Sequence, residues 1–293
     1  MTAKVAFSLE PTGRLRRRKL VNKVMEGLAT AAALVAVAAL ALVVGSVVQR
    51  GHGALDHNLF TKVPATFGET GGGIENSIVG TIVLVLVASA IALPVGILIA
   101  VYVNELAPRA LRRFVNTVLD VLNGLPSIVI GIFVFGLLVV GRSQSALAGG
   151  FALAVIMLPL VARSTQEVLA LVPNSLREAS YALGVSRWRT VLGVILPTSL
   201  GGVLTGATLG VARIAGETAP LLFTCSVTTT QVSWNPRDAL QSIPLTIFEY
   251  LESPDPADHE RAWAAALILM AFVLMLSVAS KLVLARSRRR LAQ

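Results

Sequence analysis

The sequence predicts an all-α polytopic membrane protein with about six transmembrane helices. Hydrophobic residues make up 55% of the 293-residue chain and charged residues only 14%, whereas soluble domains carry about 25% charged residues. The mean hydropathy is +0.75. Several apolar runs reach the ~20 residues that a helix needs to cross the hydrocarbon core of a bilayer. These observations favour one membrane domain over a pair of soluble domains.

Six apolar runs follow one another between polar segments. They lie at about 24–48, 77–103, 114–140, 147–170, 193–215 and 263–284. Arginine and lysine cluster in the segments before the first run, after the second, after the fourth and after the sixth. Because basic residues concentrate on the cytoplasmic side of membrane proteins, both termini are expected to be cytoplasmic.

This topology divides the chain into three segments, the second of which contains two long polar loops. A basic N-terminal segment, 1–23, and a basic tail, 285–293, flank a membrane domain at 24–284. Within the membrane domain, a cytoplasmic loop is expected at 171–192 and a long polar external segment at 216–262. The first apolar run is longer than the ~7–15 residues of a signal peptide, so we interpret it as a retained helix.

Composition also excludes several kinds of site. The net charge of +9 could indicate nucleic-acid binding, but the basic residues flank apolar runs, as they do in membrane proteins. The single cysteine, Cys225, excludes an intrachain disulfide and a cysteine-based metal cluster. The three histidines lie in polar segments, which argues against a histidine-rich metal site.

Proline and glycine mark special positions in the apolar runs. Prolines at 94, 126 and 159 are expected to kink their helices, since each removes a backbone donor. Glycines at 202, 206 and 210 form a stripe at four-residue spacing that allows another helix to approach closely. The stripe fits internal packing or an interface with a partner subunit.

A polar segment from Arg177 to Pro197 interrupts the apolar pattern. Glu178 and Ala179 are expected to open a short helix, Gly184 to break it, and Leu196-Pro197 to close the segment. A short helix with a glycine hinge at a membrane surface can dock on a soluble partner while its ends pull on membrane helices. The alternative is an ordinary amphipathic loop.

Two arginines, Arg163 and Arg213, fall inside apolar runs. An arginine at the bilayer centre costs about 2.5–3.5 kcal/mol on insertion scales, so it is expected to face a partner or a water-filled path. Each has a glutamate four residues later, Glu167 and Glu217 respectively, one helical turn away. The pairs could be structural braces, or the arginines could line an anion route in which each glutamate positions its arginine.

The surroundings of Arg213 favour the anion route. Gly216 and Pro220 bracket Glu217 and predict an interruption of the helix there. Guanidinium is a planar fork that matches the oxygens of phosphate, so an oxyanion fits better than a cation or a sugar. On a simple helical rise, Arg163 lies roughly 12 Å from the inner boundary and Arg213 roughly 30 Å along its helix.

Four motifs carry a resemblance to a known family. They are LPSIVIG at 125–131, LPLVARST at 158–165, ARIAGETAPLLFT at 212–224, and the 177–197 segment, which resembles the EAA signature of ABC-importer permeases with Ser180 and Val194 as its departures. Together they resemble the PstA family, the inner-membrane permease subunits of bacterial phosphate-specific ABC importers. The resemblance covers roughly 75–284.

The resemblance implies the remaining components of an importer. It implies the type I ABC-importer permease fold, a PstC-like second permease, a PstB-like ATPase dimer and a PstS-like phosphate-binding protein. The EAA-like loop, with Glu178, Ala179, Gly184, Leu196 and Pro197, would couple to the ATPase. Because the chain has no GxxxxGK[ST] motif, no cofactor is expected on it, and ATP with magnesium would bind the partner ATPase.

Three other functions remain open from the sequence. A permease for sulfate or molybdate would carry similar charges. An ion-coupled secondary transporter should have acidic residues in mid-membrane, whereas Glu167 and Glu217 each have an arginine neighbour and the EAA-like loop would be unexplained. A membrane scaffold or sensor would need neither this loop nor intramembrane arginines.

Overall fold

The computed structural model describes residues 13–65, 72–226 and 231–291, with side chains as far as residue 282. Residues 1–12 of the predicted basic N-terminal segment and residues 292–293 of the tail lie outside the described residues, as do the side chains of the tail arginines. The described part is helical and contains no β-strand. The predicted all-α class is therefore confirmed.

Twelve α-helices follow one another in the described ranges. They are α1 (Gly13–Gly51), α2 (His57–Thr61), α3 (Glu75–Val101), α4 (Arg109–Gly124), α5 (Ser127–Val134), α6 (Ala146–Ala170), α7 (Asn174–Ala182), α8 (Arg187–Thr190), α9 (Leu196–Ala215), α10 (Ala219–Thr224), α11 (Ile243–Glu252) and α12 (Pro256–Leu291). Single π-helical turns extend α3 and α5 and join α8 to α9.

The chain divides into two units, residues 1–49 and residues 50–293. The described part of the first unit is α1, which contains the predicted first span. Its leucines and valines are exposed along its length, including Leu34 and Leu42. An apolar helix with exposed side chains on all faces is suited to the hydrocarbon of a bilayer.

Among the described residues, five helical segments are long and apolar enough to cross a membrane, and a bent pair could supply a sixth. The bent pair is α4 with α5 and its π-helical turn, whose axes meet at 99°. The prediction that 114–140 forms one kinked helix is therefore wrong, because two helices meet there at a sharp bend. Proline forces the residue before it away from helical geometry, and Leu125 is extended, with ψ 134°, just before Pro126. Pro94 and Pro159, in contrast, lie inside continuous helices.

The core of the second unit is built around α6. Buried residues of α3 and α6 form its centre, together with apolar residues from α5, α9, α10 and α11. Gly149 and Gly150 allow α6 to approach α3 closely, since a Cβ on Gly150 would lie 2.5 Å from Val87. Helices in a membrane associate through such close packing, because lipid removes the hydrophobic driving force between them.

The glycine stripe of α9 packs against α6 inside this chain. A Cβ at Gly206 would lie 2.3 Å from the hydroxyl of Ser164, and one at Gly202 would lie 2.5 Å from Val168. Gly210 lies against Met157 and Val161. α9 therefore runs antiparallel to α6, so that later residues of α9 contact earlier residues of α6. Of the two interpretations, the structure shows the packing role.

The segment after α9 differs from the polar external segment expected at 216–262. Leu221, Cys225 and Leu245 are buried in the core. The amide of Ser145, just before α6, donates to the carbonyl of Thr224, so α10 ends at the start of α6. The chain from 216 to 226 thus lies beside the N-terminal half of α6, and α11 then packs on α12 and α3.

Candidate coupling segment and anion path

The segment between α6 and α9 is a helical hairpin that we name the coupling segment, residues 171–192. Its first helix begins at Asn174, so Glu178 and Ala179 lie within α7 rather than opening it. Both are exposed. Pro173 before α7 explains the earlier start, because its fixed φ and extended ψ place it as the cap of a new helix.

Gly184 makes the turn between α7 and α8. Its φ is +76°, a left-handed conformation that glycine adopts without steric cost. Its amide donates to the carbonyl of Tyr181, and the amide of Val185 donates to that of Ser180. These bonds end α7 at Ala182, as the spacing predicts.

Leu196 and Pro197 do not close the segment. The helix runs without a break from Arg187 to Ala215, through a π-helical turn at Val191–Ile195. The wider turn lets the amide of Leu196 donate to the carbonyl of Val191. Proline cannot donate a backbone hydrogen bond, and a π-helical turn before it accommodates the altered bonding without ending the helix.

One polar contact closes the hairpin of the coupling segment, and another joins it to the membrane helices. The hydroxyls of Ser180 and Thr190 are 2.8 Å apart and buried, which joins α7 to α8. Arg177 donates to both carboxylate oxygens of Glu105, at the end of the α3 span, at 2.8 and 3.2 Å. It also donates to the carbonyls of Leu169 and Val172. The hydrogen bond with Glu105 raises the pKa of Arg177, so the guanidinium remains charged.

The opposite face of the coupling segment is an apolar patch with basic residues beside it. Leu183 is 84% exposed, and Tyr181 and Trp188 are also exposed. The guanidinium of Arg189 lies 5.3 Å from the centre of the Trp188 ring, within cation–π distance. Exposed aromatic residues and arginine are enriched at protein interfaces, so this face has the composition of a docking surface.

Arg163 does not pair with Glu167, contrary to the expectation from their spacing. Its guanidinium instead forms an ion pair with Asp120 of α4 and donates to the carbonyl of Asn116 and the amide oxygen of Gln166. Glu167 is exposed and forms no ion pair among the described residues. Because α4 packs along α6, the carboxylate of Asp120 reaches Arg163 from a neighbouring helix.

Arg213 lies beside Glu217, as its spacing predicts, but their contact is loose. The nearest nitrogen and oxygen are 3.8 Å apart, beyond hydrogen-bonding distance. The side chain of Arg213 is 56% exposed, and it makes no hydrogen bond with the described residues. The guanidinium is therefore held by one carboxylate and keeps its donors available for a ligand.

The helix break beside Arg213 lies at the level of the middle of α6. α9 ends at Ala215 and α10 begins at Ala219, which matches the predicted interruption at Gly216. In the register of α9 with α6, Arg213 lies level with Met157. Arg163 lies six residues further along α6 in this register, so the two arginines are separated by about 9 Å along the axis rather than the ~18 Å expected.

Two of the sequence motifs meet at this level. A Cβ on Gly131 of α5 would lie 2.6 Å from the Cα of Pro220 in α10, so the two backbones are in direct contact. The 125–131 motif therefore packs against the 212–224 motif next to the helix break. The glycine is required because any side chain would separate these two elements.

Sequence reasoning missed two carboxylates of the site, Asp120 and Glu105. Asp120 sits within a predicted span, which marks it as an unusual charge, but its partner is 43 residues away in the chain. Glu105 ends an apolar run and looks like an ordinary boundary residue until Arg177 is found beside it. Both contacts depend on tertiary packing.

Comparisons with known proteins agree with this architecture. Residues 92–291 match the family of binding-protein-dependent transport system inner membrane components. The methionine ABC transporter MetNI, in an inward-facing conformation, contains a chain that is 22% identical and superposes with a TM-score of 0.58, covering 73% of this chain and 94% of that one. This likeness shows that the chain has the fold of ABC-importer membrane subunits.

Curated relatives match nearly the whole chain. A phosphate transport system permease protein PstA of Haemophilus influenzae is 37% identical over 270 residues, which cover 90% of this chain and 94% of the relative. PstA 1 of Mycobacterium tuberculosis is 36% identical over 289 residues, covering 94% and 92%. The chain therefore belongs to the binding-protein-dependent transport system inner membrane components and, among them, to the PstA family of multi-pass, non-catalytic ABC transporter subunits.

Proposed function

We propose that this chain is the permease subunit that carries inorganic phosphate across the cytoplasmic membrane in an ATP-driven importer. Its relatives are named phosphate transport system permease proteins, which supports phosphate as the substrate. A sulfate or molybdate permease and an ion-coupled transporter are not favoured by these relatives. The chain would form half of the translocation path, and a PstC-like permease would form the other half.

Arg213 carries this proposal. It is a guanidinium with free donors, placed at a helix break halfway along α6. Phosphate oxygens fit the planar fork of arginine, and water can reach an interrupted helix inside a transporter. Glu217, at 3.8 Å, would hold the arginine toward the path without occupying its donors.

Arg163 would be the next station inward, about 9 Å from Arg213. Asp120 and Asn116 occupy its guanidinium in the present structure. Phosphate would have to displace Asp120 to bind there, so the ion pair between α4 and α6 would open as the substrate passes. This arrangement assigns Arg163 a bracing role when the path is empty and an anion-binding role when it is loaded.

The coupling segment would dock on a PstB-like ATPase dimer. The exposed patch of Tyr181, Leu183 and Trp188 would provide the apolar contact, and Glu178 and Ala179 lie on the same hairpin. ATP with magnesium would bind the ATPase, and a PstS-like protein would deliver phosphate on the other side. Arg177 and Glu105 would transmit movement of the hairpin to α3.

The orientation of the chain follows from the same docking. An ATPase is cytoplasmic, so the coupling segment would be cytoplasmic, and the basic flanks on that side agree with this placement. Both termini would then also be cytoplasmic. Cysteine labelling of the intact cell, with cysteines introduced at exposed Leu183 and exposed Trp234, would test the two sides.

Uptake of labelled phosphate by a strain lacking its own permease tests the substrate. Expression of this chain with its partner subunits should restore uptake, and an excess of unlabelled phosphate should compete while sulfate and molybdate do not. Restored uptake of sulfate, with no phosphate transport, would contradict the proposal. Transport by this chain alone in liposomes would contradict the paired-permease arrangement.

A further inference from the structure

A second pair of arginines lies at the outer end of α6, away from the path described above. Arg142 follows the turn after α5, and Arg237 belongs to the loop before α11. Together with Ser143 and Ser145 they line an open cavity of about 510 Å³. This volume is within the usual range of small-molecule sites.

The two guanidinium groups have no acidic partner among the described residues. Neither side chain forms an ion pair or a hydrogen bond there, and both residues are exposed. The neighbouring carboxylate, Asp238, already accepts hydrogen bonds from Ser233 and Asn235. Among the described residues, the cavity is lined by two guanidinium groups and by no carboxylate, so its lining is positively charged.

The backbone at the start of α6 adds to the positive electrostatic potential of the cavity. α6 has 25 residues and begins at Ala146, directly beside the cavity. The N-terminal end of a helix bears a partial positive charge that favours anions. Its first amides are bonded to the carbonyls of Asp238 and Pro236 and to Ser145, so they hold the 231–240 loop against α6 rather than binding a ligand themselves. This fixes Arg237 near Arg142.

We propose that Arg142 and Arg237 form a binding site for a phosphate group at the outer face. Two arginines can each present a fork to a tetrahedral oxyanion, and the hydroxyl of Ser143 can donate a further hydrogen bond. The phosphate group could belong to free inorganic phosphate or to a phospholipid headgroup, since both present the same oxygens. The guanidinium groups, rather than the helix end, are the recognising elements.

The position suits an entry site for the path. The carbonyl of Thr224, at the end of α10, accepts a hydrogen bond from the amide of Ser145 beside the cavity. Arg213 of α9 lies level with a point about ten residues further along α6. The cavity is thus about 15 Å outward of Arg213. If the cavity is an entry site for free phosphate, the inference rests on the proposed function. If it binds a phospholipid headgroup, the inference is independent of that function.

Equilibrium dialysis of ³²P-orthophosphate against the purified complex tests the site. The complex of this chain with its PstC-like permease and PstB-like ATPase, without the PstS-like protein, is held in maltoside detergent, and all variants carry Arg213→Gln to remove the site proposed at the helix break. Arg142→Gln and Arg237→Gln should each weaken binding about tenfold, and the double variant should weaken it further. Lys62→Gln, which removes an exposed charge elsewhere in an external segment, should change binding less than about twofold.

A lipid arm identifies the source of the phosphate group. Phosphatidylglycerol retained by each complex is counted by native mass spectrometry, with and without the double variant. Loss of orthophosphate binding supports free phosphate, and loss of retained lipid with unchanged orthophosphate binding supports a headgroup. Values equal to those of the Arg213→Gln parent in both arms would overturn the site.

The same measurements separate this inference from the proposed function. If Arg213→Gln alone leaves phosphate uptake and binding intact, the proposed path through Arg213 is wrong. The variants of Arg142 and Arg237 still test the outer site in that case. If Arg213→Gln abolishes uptake and the double variant changes neither arm, the path stands and the outer site fails. Arg142→Lys with Arg237→Lys keeps the charge and should recover part of the binding, because an ammonium lacks the planar fork.

Discussion

Arg177 and Glu105 form a two-pronged ion pair that joins the coupling segment to the end of the α3 span. Both side chains are largely buried, with 16% and 7% of their surfaces exposed. Arg177 additionally caps the carbonyls of Leu169 and Val172 at the end of α6. One guanidinium therefore links three elements, so a displacement of the hairpin must move α3 and α6 together.

Glu105→Gln should break this linkage. Removing one partner of a buried ion pair costs about 3–5 kcal/mol, because the remaining charge is left uncompensated. The detergent-solubilised complex should melt at a lower temperature, and ATP hydrolysis should continue with less phosphate transported per ATP. Glu252→Gln, an exposed glutamate, is the matched control. Unchanged coupling in Glu105→Gln would exclude this ion pair as the transmitting element.

Gly184 should be sensitive to any side chain. Its φ of +76° disfavours L-residues by about 1–2 kcal/mol, so Gly184→Ala should loosen the hairpin. Gly184→Pro should leave the protein inserted but uncouple ATP hydrolysis from uptake, since proline cannot adopt this φ. Gly193→Ala is the control, because a Cβ there meets no atom within 4 Å. Normal transport by Gly184→Pro would argue against the docking role.

Gly131 and Gly136 offer a matched pair in one helical segment. A Cβ at Gly131 would lie 2.6 Å from the Cα of Pro220, while one at Gly136 meets no atom within 4 Å. Gly131→Ala should therefore separate α5 from α10 and cost about 1–3 kcal/mol by overpacking. The melting temperature should fall for Gly131→Ala and remain near wild type for Gly136→Ala. Equal melting of both variants would show that the α5–α10 contact yields without cost.

Local chemistry made much of the fold predictable. Apolar length predicted most of the spans, and glycine at 184 and 216 correctly marked a turn and a helix end, because backbone freedom is a property of the residue itself. The sequence marked Pro126, but proline lies inside the continuous helices α3 and α6 and breaks the chain between α4 and α5. Only the neighbouring backbone decides which occurs, so the 99° bend between α4 and α5 could not be read from the sequence.

The partners of charged residues were less predictable. The spacing of Arg213 and Glu217 indicated their proximity, because one helical turn brings them together. The same spacing was misleading for Arg163 and Glu167, since Asp120 approaches from another helix and forms the ion pair instead. A local rule is overridden whenever tertiary packing offers a better partner.

Substitutions of Arg163 and Asp120 should show whether their ion pair only braces two helices or also takes part in phosphate transport. In the brace interpretation, replacing both residues with apolar ones, Arg163→Met with Asp120→Leu, should leave stability and uptake near wild type. In the station interpretation, that double variant should assemble and fail to transport. Asp120→Asn alone should weaken the bond between α4 and α6 and lower the melting temperature. Phosphate uptake and thermal unfolding of both variants decide between the two interpretations.

Arg213 should be indispensable for uptake if phosphate contacts it. Arg213→Gln removes the charge from a side chain that makes no hydrogen bond with the described residues, so expression and assembly of the complex should persist while uptake is lost. Arg213→Lys should also fail substantially, because an ammonium lacks the planar fork that fits phosphate. Uptake of ³²P-phosphate, measured beside the amount of assembled complex, checks both variants.

A double change of Arg213 and Glu217 to apolar residues distinguishes a path from a brace. Their 3.8 Å contact is too long for a hydrogen bond, and 56% of the arginine side chain is exposed, so the pair contributes little to stability. Arg213→Met with Glu217→Leu should therefore assemble like the wild type. Because the variant no longer offers a guanidinium at the helix break, phosphate uptake should be abolished. Normal uptake by the assembled variant would remove Arg213 from the path and leave only a structural contact.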